Sequence, residues 1–383
     1  MFHSSRVAAS IAIILGTAIG NAASDITPVR LVSPFDAVRA NLSPVSLSEP
    51  PHAVGRDGTQ LTLDGKPFRF TGLNIFNAAN LDSESCWFAW GAGDLLDRAL
   101  GAIGPGQTVF RIFLFQQTAT VRGQRDWSGF DHTLKVARNH GERMIVTLGN
   151  QWKFCEGAGA IFKTEDWYQH VYRDQPAPGL PQSYRDWVAE VVSRYRDDNT
   201  ILAWQLMNEP SDQPSEAGGC SATAGATFRA FVGDMGALIK GLDPDHLVSV
   251  GTLGGGECGS AGDDYQKLHA IPQIDLCNFN EYSRAAPAVP SENMRLLQQR
   301  LAQCRAVGKP LIISEAGVTV RDAGSLDARA KIFRARVSAW FDAGVSGVLL
   351  WNLGGPPDIG SNGYQILPGD PLLEVLASIQ NEG

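Results

Sequence analysis

Two short strings in this chain end in glutamate after a run of apolar residues. They are Trp204-Gln205-Leu206-Met207-Asn208-Glu209-Pro210 and Leu311-Ile312-Ile313-Ser314-Glu315-Ala316-Gly317. A buried strand reads as such a run, and a carboxylate at its C-terminal end leaves the core for a cleft. Two carboxyls facing each other, one a proton donor and the other an anion, are what cleavage of a glycosidic bond requires. Read singly, each glutamate is equally well a strand-end residue that caps a helix. Together, at equivalent ends of two strands, Glu209 and Glu315 point to catalysis.

Other residues fit around that pair. Arg111 sits inside Val109-Phe110-Arg111-Ile112-Phe113-Leu114. A cation in an apolar strand is costly unless paired, and Glu315 is its natural partner. Asn208, with one donor and one acceptor, suits a sugar hydroxyl beside the scissile bond. Trp351 ends the last strand, where it either stacks on a sugar ring or packs the barrel. Asn150, Trp152 and Trp87 are expected in loops at the same rim, as substrate contacts. Tyr282 is placed to donate to Glu315. Held by Arg111 and Tyr282, Glu315 is expected to keep a low pKa while Glu209, beside another negative charge, stays protonated longer.

The elements that carry these residues alternate between strand and helix. Candidate strands are 68–72, 108–114, 143–148, 201–207, 247–251, 275–279, 310–314 and 347–351. Helical periodicity fills the gaps, at 183–195, 224–241, 292–307 and 328–343. Eight strands alternating with helices imply an α/β fold, a closed (β/α)8 TIM barrel. Glu209 and Glu315 are 106 residues apart. As the ends of the fourth and seventh strands they leave about 35 residues per unit, as in a typical barrel. The competing architecture, a doubly wound open sheet, would need a switch-point crevice, and no GxGxxG follows any strand.

Residues 1–23 read as a secretory signal: a short basic start at Arg6, an apolar middle and small residues at the end. Its alternative is a retained anchor. Residues 24–58 read as a Ser/Pro-rich leader, and 59–383 as one catalytic domain that opens with a hairpin around Asp64-Gly65. All six cysteines follow the signal, which favours up to three disulfides in an exported protein. The pairing stays open, with Cys220–Cys258 preferred because both sit in Gly-rich loops. No CxxC pair or His/Cys cluster suggests a metal, so none is expected. The net charge of −8 argues against nucleic acid or an anionic membrane as partner. No GxSxG motif accompanies the seven histidines, which disfavours a serine or cysteine hydrolase. His246 opens the fifth strand at the end of a barrel that serves stability.

The ordered set of motifs resembles glycoside hydrolase family 5, and within it the endo-β-1,4-mannanase branch. Matching stretches are Leu63-Asp64-Gly65-Lys66-Pro67-Phe68-Arg69-Phe70-Thr71-Gly72-Leu73-Asn74, Phe110-Arg111-Ile112-Phe113, Leu148-Gly149-Asn150-Gln151-Trp152 and the two glutamate strings, covering roughly residues 60–353. The resemblance implies Glu209 as acid/base and Glu315 as nucleophile of a retaining double displacement. Their carboxyls should lie roughly 5–5.5 Å apart. Arg111, Asn208, Tyr282 and Trp351 then fill supporting places, and no cofactor is needed. One place departs: the family's His-x-Tyr on the sixth strand is Asn280-Glu281-Tyr282 here. Asn280 can hydrogen-bond but cannot titrate. Glu281 adds a third carboxylate, which strand alternation would turn outward. The implied product is a secreted or periplasmic enzyme, a monomer, acting on a polysaccharide or oligosaccharide. Open alternatives are an endo-β-1,4-glucanase or an exo-acting cell-wall glycosidase on the same scaffold, and a carbohydrate-binding protein that has lost catalysis. The sequence leaves the sugar, the linkage and the choice of endo or exo attack undecided.

Overall fold

The computed structural model describes residues 52–81, 86, 88–104, 108–157, 159–283, 292–354 and 363–381. Eight parallel strands form its centre: β1 (Phe70–Asn74), β2 (Val109–Phe113), β3 (Arg143–Thr147), β4 (Ile201–Gln205), β5 (Leu247–Ser249), β6 (Cys277–Glu281), β7 (Leu311–Ala316) and β8 (Gly347–Leu350). Their order runs β5-β4-β3-β2-β1-β8-β7-β6. A parallel bridge between Ser249 and Leu276 joins the two ends, and Asp275 N and Leu276 N both donate to Val248 O. The sheet is therefore a closed barrel, as expected.

The helices return the chain between strands: α1 (Leu95–Ile103), α2 (Ser128–Asn139), α3 (Tyr184–Tyr195), α4 (Ala224–Leu242), α5 (Asp264–His269), α6 (Glu292–Ala306), α7 (Leu326–Asp342) and α8 (Pro371–Asn381). In α3 the Ser183 hydroxyl accepts from Asp186 N, the start signal that the sequence carries. Trp187, Val188, Val191, Val192 and Tyr195 are buried at 3–4 residue intervals, so one face of the helix lies on the sheet.

Two apolar clusters hold this frame. Phe70, Val109, Ile145, Leu202, Leu247, Leu276, Ile312 and Leu349, from eight successive strands or their edges, fill the barrel's lower interior. The larger cluster lies between strands and helices and includes Ile112, Val146, Trp204 and Ile313. Truncating such a residue to alanine costs about 2–5 kcal/mol.

Below the barrel, Val54–Asp57, Gln60–Leu63 and Lys66–Phe68 form an antiparallel sheet. Asp64 and Gly65 both have positive φ at its second turn, the conformation a two-residue hairpin needs. The first of these strands corrects the expected leader: ordered structure starts by Val54, not after residue 58. Val54 and Leu61 plug the barrel floor with the interior cluster, a tertiary gain that composition does not show. The signal and the rest of the leader lie outside the described residues.

A second correction concerns β6, which runs two residues later than expected. Asp275 spends its side chain on Val248 N and Arg56 at the closing seam, so the regular ladder begins at Cys277. Disulfides join Cys86–Cys155, Cys220–Cys258 and Cys277–Cys304, with the preferred pair among them. No helix of the described residues is long and apolar enough to cross a membrane.

Candidate active site

The C-terminal ends of the strands converge on a cavity of about 360 Å³ lined by Asn208, Glu209, Tyr282, Glu315, Trp152 and Trp351, among others. Glu315 lies within β7. Glu209 leaves β4 at a sharp exit: its φ is +49°, and its backbone N–H donates to Gly251 O at 3.0 Å. Gly251 has a φ of +92°, and a Cβ there would lie 1.8 Å from Met207 O. Only glycine lets the loop after β5 press so close to the β4 exit.

Arg111 is the hub, with 1% of its surface exposed. Its Nη1 donates to Glu315 Oε1 at 2.6 Å and to Asn74 Oδ1 at 3.1 Å. Nη2 donates to Asn208 Oδ1 at 2.7 Å, and Nε to Gln205 Oε1 at 2.7 Å. Four acceptors from three strand ends thus fix one guanidinium, and the fork holds Glu315 in one orientation. Tyr282 Oη donates to the other oxygen, Glu315 Oε2, at 2.7 Å.

Glu209 has a different surrounding. Asn280 Nδ2 donates to its Oε1 at 2.9 Å and Trp152 Nε1 to its Oε2 at 2.8 Å. Asn280 also stands opposite Glu315 in the β6–β7 register, and its Oδ1 is buried without a partner.

The expected pKa order does not hold for Glu315. Burial, then the charge of Glu209, push its carboxyl up to about 7, against the pull of Arg111 and Tyr282. Two donors do not offset complete desolvation with a second carboxylate nearby. Tyr282 is pushed up in turn by burial and by the charge of Glu315.

The remaining candidates divide. Trp351 lines the cavity and lies flat on Phe76, with centroids 5.2 Å apart. Asn150 is a brace more than a contact: it is buried, its Oδ1 accepts from Asn208 Nδ2 and Trp152 N, and its Nδ2 donates to Phe154 O. Asn208 is likewise tied to Arg111 and Asn150 while it lines the cavity. Glu281 points away from the cavity as alternation expects, toward Ser283 and, at 3.9 Å, Arg336 of α7. Trp87 lies outside the described residues.

Several site residues escaped the sequence reading. Asn74 and Gln205 end apolar strands as Glu209 and Glu315 do, a signal that marks them as polar strand ends without naming Arg111 as their partner. Tyr364, edge-on to Tyr282 at 5.5 Å, follows the last strand with no motif. Asp212, three residues past Glu209, is fully buried, and neither of its carboxyl oxygens has a partner. Burial, then the charge of Glu165, push it up to about 7. Among the described residues no cluster of three His, Cys, Asp or Glu could hold a metal.

Comparison with known proteins agrees with this geometry. A family model described as GH family 5 beta-mannosidase-like matches residues 170–341, a span that contains Glu209, Asn280, Tyr282 and Glu315. A probable mannan endo-1,4-beta-mannosidase C of Aspergillus terreus is 29% identical, over 69% of this chain and 72% of its own length. Mannan endo-1,4-beta-mannosidase 7 of Oryza sativa is also 29% identical, over 78% and 88%. For the fold, the endo-1,4-beta-mannanase structure from Rhizomucor miehei superposes with a TM-score of 0.67 at 21% identity, covering 86% of this chain and all of that one. The one from Thermotoga petrophila gives 0.64 at 22%, covering 82% and 100%. A closed barrel with two facing glutamates at its mouth, matched by these sequences, places the protein among the hydrolases of O-glycosyl bonds, and residues 170–341 are similar to glycoside hydrolase family 5.

Proposed function

We propose that the protein is a secreted endo-β-1,4-mannanase that works with retention, Glu209 as acid/base and Glu315 as nucleophile. The observation that carries the roles is the asymmetry of the two carboxyls. Glu315 is gripped by a fixed cation and a phenol, which orient it and favour its anion. Glu209 is held only by neutral N–H donors at the cavity edge. Relatives named as mannan endo-1,4-beta-mannosidases support the substrate, and three disulfides support export.

In the first step Glu315 attacks the anomeric carbon while the proton of Glu209 passes to the departing glycosidic oxygen. The C–O bond breaks, and a glycosyl ester forms on Glu315. In the second, Glu209 takes a proton from water, the water oxygen attacks the same carbon, and Glu315 leaves as carboxylate. Protonation of Glu209 matters twice. It arms the acid, and it removes the charge that pushes Glu315 up, so Arg111 and Tyr282 can bring out the nucleophilic anion.

The test is reducing-sugar release from β-mannan, glucomannan, cellulose, xylan and furanose-containing glycans, with proton NMR of the first-formed anomer. Mannan cleavage with a retained β-anomer supports the proposal. Cleavage of another glycan moves the substrate, and an inverted anomer sinks the mechanism. The family model's beta-mannosidase-like description favours one second reading, exo attack. Early products of one sugar unit, instead of mixed oligosaccharides, would establish it.

A further inference from the structure

Trp152 stands out among the large apolar side chains. It is 40% exposed, yet its one polar atom is aimed inward at Glu209 Oε2, 2.8 Å away. A ring held merely as a flat surface for sugar has no need of that aim. The loop that carries it is built as a bracket. Trp152 N donates to Asn150 Oδ1, Asn150 Nδ2 donates to Phe154 O, and Asn150 N donates to Glu156 Oε1. Glu156 is ion-paired with Lys163. Cys155, at a φ of +61°, is bonded to Cys86 in the loop after β1. Phe162 backs the indole, with centroids 6.1 Å apart. The N–H is thus placed before any substrate arrives, without an ordering cost at the moment of reaction.

A hydrogen bond donated to a carboxyl oxygen strengthens as the carboxyl loses its proton, so it makes the acid stronger. Asn280 does this at Oε1 and Trp152 at Oε2, and neither side chain titrates. The titrating groups that act on Glu209 are Glu315 on β7, Tyr282 after β6 and Glu257 in the loop after β5, with Arg111 behind Glu315. Each carboxylate among them carries the same sign of charge as an ionised Glu209. Trp152 works against them from the solvent side.

We propose that Trp152 is a positioning residue for the acid/base: its indole N–H sets the direction of the Glu209 carboxyl and raises its strength as a proton donor to the leaving oxygen. This rests on the assignment of Glu209 as acid/base. It assigns a catalytic consequence to a ring that would otherwise serve as a sugar platform.

The experiment uses Trp152→Phe, which keeps a flat ring and deletes the N–H. Its substrates are aryl β-mannobiosides whose phenols differ in acidity. Expected are a KM within about twofold, an alkaline limb of kcat/KM shifted up by about half to one pH unit, and a rate loss of about tenfold for the poorest leaving group. That loss should fade for the most acidic phenol, which needs no proton. Trp152→His, which restores a ring N–H, should return part of the limb shift. A raised KM with an unmoved limb and an unmoved leaving-group slope would overturn the proposal and leave Trp152 as a stacking surface. A Glu209→Ala control separates the two levels. If it keeps the wild-type leaving-group dependence, the acid/base assignment itself fails; if it steepens that dependence while Trp152→Phe does not differ from wild type, only the present inference fails.

Discussion

Asp243 and Glu315 are buried carboxylates at opposite ends of one barrel, and their surroundings drive them in opposite directions. Asp243, 1% exposed at the floor, accepts four hydrogen bonds. Trp204 Nε1 and His246 Nδ1 reach Oδ2, each at 2.7 Å, and the backbone N–H groups of His246 and Asp245 reach Oδ1 at 3.0 and 3.2 Å. Burial alone would raise its pKa, but these bonds outweigh burial and hold it below the usual value. Glu315, 3% exposed at the mouth, has Arg111 and Tyr282 but also faces Glu209, and it is pushed up to about 7. Burial is common to both. What differs is how completely the lone pairs are occupied and whether a second anion is near. At the floor four donors outweigh burial, and at the mouth two donors do not.

The comparison can be broken at its active end first. Glu315→Gln should lower turnover on mannan by about 10⁴–10⁶-fold, while its thermal midpoint balances two opposed effects: relief of a desolvated carboxylate and loss of the anion paired with buried Arg111. Its pH signature follows from linkage. A folded pKa above the unfolded one means that the native state keeps a proton which the unfolded chain releases. That contribution is full below the unfolded value, near 4.5, and is lost as pH rises through about 7. Urea unfolding from pH 5 to 8 should therefore show a shallower decline for the variant than for wild type.

Asp243→Asn attacks the settled end. It should cost about 2–4 kcal/mol of stability and leave kcat of the folded protein unchanged. The sign is reversed here, because the folded pKa lies below the unfolded one. The contribution of Asp243 is present above its unfolded value, near 3.8, and is lost as pH falls through the folded one. The variant should lose less than wild type on acidification, read by circular dichroism between pH 5 and 2.

Asp212 sharpens the contrast, being a carboxyl with burial but no donors. Asp212→Asn should stabilise the protein by about 1–2 kcal/mol at pH 8 and by less at pH 5, where only part of the range between its unfolded value of 3.8 and its folded value of about 7 has been crossed. Equal effects at both pH values would show that its charge is not what costs stability.

Much of this was legible in the sequence because strand burial leaves a one-dimensional trace. Ile201-Leu202-Ala203-Trp204 and Leu311-Ile312-Ile313 could be read without knowing their neighbours, and so could a cation stranded in Val109-Phe110-Arg111. Glu315 as the partner of Arg111 was legible too, because a buried cation needs a carboxylate and few were available. Asn74 and Gln205 were missed as further acceptors, since choosing among polar strand ends requires the barrel's register. The direction of the Glu315 shift was misread for a related reason. Counting donors is local, whereas desolvation by the assembled fold is not. The strand at Val54 was missed because its partner and the floor it plugs are tertiary facts.

The backbone at Glu209 carries one more consequence. A residue with a side chain at a φ of +49° gives up about 1–2 kcal/mol that glycine would not. Position 209 is therefore a place where a population screened in the laboratory for heat survival alone would drift toward glycine, and would discard the proposed proton donor in doing so. The proposed acid role would hold a glutamate there against that drift, so heat tolerance and turnover would pull one position two ways.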